Sequence, residues 1–283
     1  MSWLRCAALG AALVLPAADA AAAELQIAWR APTTPEVAWR GIVETEGAGV
    51  GAGGTMLYPA PGLAGFLAAV LTHGALVAGA QNSERQKQQA AADRVLEPHL
   101  PALREWTAQA LWESAMAKTG APSGSPAAPD AGAAKAAWVG EAVPSFAMTQ
   151  DAGALVLDVA IKLTPALGGA ASETFVRVVS APLQTPDAAA HWGAQGSSAL
   201  KATAAAMLAH ALELSSRQAD PASAEEPPFR THRYRVGNAE RTERAQEVAG
   251  GCERKLLRTL RGWLLSVPVR GDAAAPCPDP YRI

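Results

Sequence analysis

Hydrophobic and polar positions along this chain alternate in some stretches and surround a helix in others. Leu25, Ile27 and Trp29 alternate with polar or small residues, as do Val37, Trp39, Gly41 and Val43. Period-two alternation predicts strands. Pro32 and Pro35 mark the connection, so the expectation is a hairpin with Trp packed inward and Arg outward. Val143–Met148, Leu155–Ile161 and Thr174–Ser180 predict a three-strand antiparallel meander.

Leu63–Ala80 carries no charge. Ala and Leu dominate and β-branched residues are few, which predicts helix. Its apolar residues surround the helix, as in a segment buried in protein or lipid. The expectation is a core helix extended by the polar run Ser83–Glu97 and closed by Pro98 and Pro101. Two alternatives stand beside it. One is a membrane span, for which about 20 apolar residues suffice. The spacings Gly65-Ala69, Ala68-Thr72 and Gly74-Ala78 suit close packing in lipid, but glycines and His73 dilute the segment. The other is an apolar surface covered only by a partner.

Helical spacing recurs over 102–118 and 198–216, where Ser197 or Ser198 can cap. Phe229–Val236 alternates. Arg230, His232 and Tyr234 share one face; Phe229, Thr231, Arg233 and Arg235 share the other. Gly237-Asn238 predicts a tight turn into a return strand over Glu240–Val248, with Glu opposite Arg. A last helix is expected over 253–265, with Leu256, Leu257, Leu260, Trp263 and Leu264 inward and Arg254, Lys255, Arg258 and Arg261 outward. These elements give an α+β fold. A mainly antiparallel sheet packs with a long Ala/Gly-rich helix over 63–97 and two or three amphipathic helices. Two stretches, 121–137, rich in Ala, Pro, Gly and Ser, and 219–228, rich in Pro and Glu, are expected to be disordered linkers within one domain over 24–283.

Composition changes the picture at the N-terminus. Arg5, the apolar run Cys6–Leu15, Pro16 and the small residues after it have the order of a secretory signal peptide. Cleavage is expected after Ala20 or Ala23, giving a 1–23 leader. Cys6 precedes the apolar run, so lipidation there is not expected. Export leaves two cysteines, Cys252 and Cys277. In an oxidising compartment these are most simply a disulfide. Two free thiols are the alternative. A bond closing that loop contributes about 3 kcal/mol through the unfolded chain.

Net charge is −2, which gives no general case for nucleic-acid binding. Charge is unevenly placed. From Phe229 onward eleven Lys/Arg face six Asp/Glu; before it thirteen face twenty. Arg230, Arg233, Arg235, Arg254, Lys255, Arg258 and Arg261 are therefore the candidate contact for an anionic partner: a glycan, lipid head groups or an acidic envelope protein. Pairing with Glu240, Glu243, Glu247 and Glu253 on a solvated face is the plainer alternative.

Enzyme motifs are not found. The Gly47–Thr55 run has Ala52 and then Pro59 and Pro61 where a dinucleotide fingerprint opens its helix, and no Lys-Ser/Thr ends it. No G-x-S-x-G or H-E-x-x-H occurs, and no cofactor or metal-ligand set is read. A hydrolase site assembled from distant residues stays open, because such sites are recognised by geometry. A cleft gathering His73, His191, His210 or His232 with an acid would favour it; dispersed histidines beside an exposed patch would favour binding.

Tyr58-Pro59-Ala60-Pro61-Gly62 with Leu71-Thr72-His73-Gly74, and Thr259-Leu260-Arg261-Gly262-Trp263-Leu264 with Ser266-Val267-Pro268, resemble uncharacterised exported proteins of Gram-negative bacteria. That resemblance implies the periplasm and supplies no catalytic residues. The element order is also similar to small α/β sandwich domains of envelope accessory proteins. The expected function is thus a non-enzymatic periplasmic accessory or binding protein. A periplasmic hydrolase and a protein held in the membrane by 63–80 are the alternatives.

Overall fold

The computed structural model describes residues 27–43, 80–119, 137–218, 227–251 and 253–269. The leader, Gly47–Thr55, the 63–79 part of the apolar stretch, His73, most of both linkers, Cys252 and Cys277 lie outside the described residues.

The fold is α+β, built on one mixed nine-stranded sheet. Its strands are β1 (Ile27–Trp29), β2 (Ala38–Gly41), β3 (Trp138–Met148), β4 (Leu155–Pro165), β5 (Ser172–Val179), β6 (Arg230–Val236), β7 (Ala239–Gly250), β8 (Arg254–Thr259) and β9 (Leu264–Pro268). Their order is β1-β3-β4-β5-β9-β8-β7-β6, with β2 also on β3. Five pairings are antiparallel. Three are parallel: β1 and β2 on β3, and β5 on β9. The expected β1–β2 hairpin therefore does not form. Both strands instead lie along β3 in succession, Ile27 opposite Trp138 and Ala38 opposite Ser145. The meander β3–β4–β5 is as expected, with longer strands.

The helices are α1 (Ala80–Asp93), a 3-10 segment (Arg94–His99), α2 (Leu100–Glu105), α3 (Ala108–Met116) and α4 (Ala188–Gln218). The single helix expected over 102–118 is broken at Trp106, whose backbone is extended. Thr107 then caps α3 by accepting from Ala110 N at 3.2 Å, as a hydroxyl at this position does. Pro101 sits in the first turn of α2, where a missing N–H costs nothing. It opens a helix and does not close one. α4 contains a break as well. Gln195, Gly196 and Ser197 have φ of 49°, 64° and 61°, a left-handed turn that only the glycine adopts without strain. The long straight part of α4 starts after Ser197.

α4 packs on β3, β4 and β5 and against α3. On this helix face the core gathers Trp112, Phe146, Met148, Leu155, Leu157, Ile161, Trp192, Leu200, Met207, Leu208 and Leu212. A smaller core lies on the opposite, inner face: Ile42, Ala147, Val156, Val179, Val236, Ala245, Leu257, Leu265 and Val267.

This second core explains the largest departure from expectation. Residues 253–265 are not a helix but the strands β8 and β9, joined by a turn through Leu260–Gly262 with Gly262 at φ 77°. Leu256 and Leu264 enter the helix-side core, while Leu257 and Leu265 enter the inner one. A strand buried on both faces has adjacent apolar residues, and that spacing imitates a helix.

The sheet curls so that the β6–β7 hairpin crosses the inner face. Tyr234 and Val236 pack on that core. At the hairpin tip Asn238 N donates to Asp151 Oδ2 at 2.8 Å, while Gly153 N donates to Oδ1 at 2.8 Å. Gly237 has φ 59°, and a Cβ there would stand 2.7 Å from the Asp151 carboxylate. Close by, where Gln150 Nε2 donates to Ile42 O and Ala92 O, Asp93 accepts from Gly41 N at 2.7 Å and Gln89 Nε2 donates to Gly41 O at 3.0 Å. Helix α1 thus covers the free edge of β2, which an exposed sheet otherwise leaves open to unwanted pairing.

Candidate functional site

Charge gathers in two clusters, one inside the curl and one outside it. Inside, Asp158 on β4 stands opposite Arg177 on β5. Arg177 Nε and Nη2 donate to the two carboxylate oxygens at 2.6 and 3.0 Å, and Arg40 Nη2 adds a third contact at 3.3 Å. Bidentate guanidinium–carboxylate geometry is the strongest form of this pairing. Asp158 is 6 % exposed. Burial lowers Arg40 below its ordinary value, with Asp158 opposing the drop and the Arg177 charge adding to it. Arg177 suffers the same burial, but the Asp158 carboxylate more than offsets it and the group is held above its ordinary value. Tyr234 and Glu243 close this cluster from the hairpin; burial raises both. The cluster ties β2, β4, β5 and the hairpin together.

Outside the curl, the helix-side face of β6–β7 is not covered by α4. Arg233, Arg235, Thr231, Thr242 and Arg244 are exposed there. Thr231 stands opposite Arg244, Arg233 opposite Thr242 and Arg235 opposite Glu240. The pairing of Arg233 with Glu240 is loose, at 3.6 Å with the Arg 75 % exposed, so it offsets little of the charge.

The seven sequence-predicted cations do not form one strip. Arg233 and Arg235 lie on the exposed face. Arg230 is exposed on the opposite side of β6. Arg254 is buried: Nη2 donates to Val179 O at 2.7 Å and to Ser266 O at 3.0 Å, and Nε to Ser266 Oγ at 3.0 Å. It is a structural cation and is corrected from a contact residue to a core one. Lys255 Nζ reaches Glu247 at 3.2 Å. Arg261 lies over the Trp263 ring at 5.3 Å. Arg258 is half-buried on β8, on the same side as Leu256. The outward helical face expected for Arg254, Lys255, Arg258 and Arg261 does not exist, because the segment is a hairpin. Arg244 was not in the predicted set. Its signal was the turn itself: folding the chain about Gly237-Asn238 sets Arg244 beside Thr231.

The described histidines are dispersed. His191 packs edge-on to Trp192 at the exposed start of α4. His210 Nε2 lies 2.9 Å from Ser266 Oγ, buried between α4 and β9. His232 Nε2 bonds the Ala245 carbonyl at 3.2 Å, and Nδ1 lies 3.6 Å from Glu247. His99 is fully buried, and neither ring nitrogen has a hydrogen-bond partner among the described residues. Burial lowers its pKa. The Ser266–His210 contact joins a hydroxyl to a base, but Ser266 is 2 % exposed and Arg254 also occupies its oxygen. It fastens the helix to the sheet. Among the described residues no three His, Cys, Asp or Glu side chains gather as metal ligands would. No described helix is long and apolar enough to cross a membrane.

No protein family, curated protein or solved structure matches this chain.

Proposed function

We propose that this chain is a non-enzymatic accessory or binding protein of the bacterial envelope, exported to the periplasm by residues 1–23. Its contact surface is the cationic outer face of the β6–β7 hairpin, and its partner is anionic. One observation carries this reading: Arg233, Arg235 and Arg244 stand exposed on a sheet face that no described helix covers, against the single acid Glu240. Clustered like charge on a surface raises the local concentration of opposite charge and steers its approach. The scatter of His191, His210 and His232 over separate elements supports binding over a dispersed hydrolase site. The order of Arg5, the apolar run and the small residues after Pro16 supports export.

The test has two parts. Expressed with its own leader, the protein should be shortened at Ala20 or Ala23 and released with the periplasmic contents. On a sulfated-glycan column it should elute at higher salt than the triple variant Arg233→Glu, Arg235→Glu, Arg244→Glu. Co-elution of the two proteins would remove the cationic face as the contact surface.

A further inference from the structure

The exposed cationic face also carries apolar side chains, and the two together define a narrower partner. Among the described residues, Leu167, Phe229 and Leu260 are the large apolar side chains left exposed. Two of these three border this face. Phe229 precedes β6 and alternates with Thr231, Arg233 and Arg235. The pairing of Arg230 with Ala245 sets it beside Gln246, which in turn stands opposite Arg258. Leu260 begins the β8–β9 turn, one residue past Thr259, whose partner is Ala245. The register therefore sets Leu260 next to Arg244. One face thus carries Phe229 just before β6, Arg233 and Arg235 on it, Arg244 and the single acid Glu240 on β7, and Leu260 just after β8. The opposite face of the same strands holds the inner core residues Tyr234, Val236, Ala245 and Leu257. Leu260 is 63 % exposed and Phe229 39 %.

We infer that this face docks on an anionic phospholipid bilayer. The inference rests on the anionic-partner reading above and names the partner. Arginine side chains over acidic head groups contribute about 1 kcal/mol each near the surface. Phe and Leu at the margin of the same plane enter the boundary between head groups and acyl chains, and arginine stems accompany them with the charge held at the phosphates. The strand register places the five groups on one side of the sheet, so one surface can meet them together. An acidic protein would need its own apolar patch beside its acids to match Phe229 and Leu260, whereas a bilayer of acidic lipids offers both layers at every point of its surface.

The experiment uses the protein as cells export it, with vesicles of phosphatidylcholine alone and vesicles that also contain phosphatidylglycerol. Cosedimentation should be strong with the second and weak with the first, and should fall as salt rises. The triple Arg→Glu variant should bind the anionic vesicles about a hundredfold or more weakly, since each reversal removes an attraction and adds a repulsion. Phe229→Ser with Leu260→Ser should weaken vesicle binding roughly tenfold and leave elution from the glycan column unchanged. All five side chains are solvent-facing, so circular dichroism of the variants should match the parent. Equal binding to both vesicle types, untouched by the Arg reversals, would overturn the inference and assign membrane affinity to another part of the chain. Absence of vesicle binding with the column shift intact would also overturn it, in favour of an acidic protein or glycan, and would leave the broader reading standing. If neither assay responds to the reversals, both fall.

Discussion

Arg177 grips Asp158 across the β4–β5 ladder through both carboxylate oxygens, at 2.6 and 3.0 Å, beneath the hairpin that crosses the inner face. This pair lies where β2, β4, β5 and the hairpin converge, so its loss is felt by all four. Asp158→Ala strands two guanidinium groups on a surface that keeps them largely from water. A broken buried ion pair costs about 3–5 kcal/mol, and urea unfolding should show a loss of that order. Replacing both partners together, Asp158→Leu with Arg177→Met, should recover part of it, the remainder being the cost of Arg40 left without its carboxylate. A double variant as unstable as Asp158→Ala would contradict this account.

Arg254 and Arg233 separate buried from exposed cations. Arg254→Met removes the donor to Val179 O, Ser266 O and Ser266 Oγ, of which Oγ keeps its contact with His210, and each buried polar group left unpaired costs about 1–3 kcal/mol. Arg233→Met removes a side chain that is 75 % exposed, and a change within about 0.5 kcal/mol is expected. Equal effects in a melting experiment would restore the outward-facing helix that the strands β8 and β9 replace.

His99 should give the fold a sensitivity to acid. Burial lowers its pKa in the folded chain, so the unfolded chain binds the proton first as pH falls. Stability from this group is full above about pH 6.5 and declines as pH drops below that value. His99→Leu removes the two ring nitrogens that have no partner among the described residues. Its urea midpoint should be equal or higher at pH 7, and its decline between pH 6.5 and 5 should be shallower than that of the parent. Parallel declines would show that other groups govern the acid limb.

The hairpin tip is held by Asp151. Its carboxyl sits below the usual carboxylate range: burial works against this, but hydrogen bonds from Thr149, Gly153 N and Asn238 N outweigh it. Its contribution is present above about pH 4 and is lost as pH falls through the folded value. Gly237→Ala places a methyl against that carboxylate in a left-handed conformation. A loss of about 1–2 kcal/mol is expected, together with faster amide exchange in β6 and β7. Unchanged exchange there would show that the tip is not fastened by this contact.

Much of the sheet was legible where large apolar residues alternate with smaller or polar ones, as Leu155, Leu157, Val159 and Ile161 do along β4 even though Val156 feeds the inner core. β3, β4, β5 and β6, the Gly237-Asn238 turn and the long part of α4 follow from their own periodicity. β8 and β9 were not legible, since Leu256-Leu257 and Leu264-Leu265 feed two cores at once. Neither was the parallel docking of β1 and β2 on β3, which is set by strands about a hundred residues away. Of the site, Arg233 and Arg235 follow from alternation alone. Arg244 requires the hairpin register, and the burial of Arg254 requires the whole fold. The Asp158–Arg177 contact lies between: once β4 and β5 are aligned, the two residues stand opposite each other.

The central claim is that the outer face of the β6–β7 hairpin is where this protein meets its partner. A photo-crosslinking residue placed at Thr242, which is exposed and opposite Arg233, tests it in living cells. The control position is Leu167, fully exposed in the β4–β5 turn and away from the arginine cluster. The account predicts envelope adducts at Thr242 that disappear with the triple Arg→Glu variant, and none at Leu167. Adducts at Thr242 that persist in the variant, or equal adducts at both positions, would contradict it.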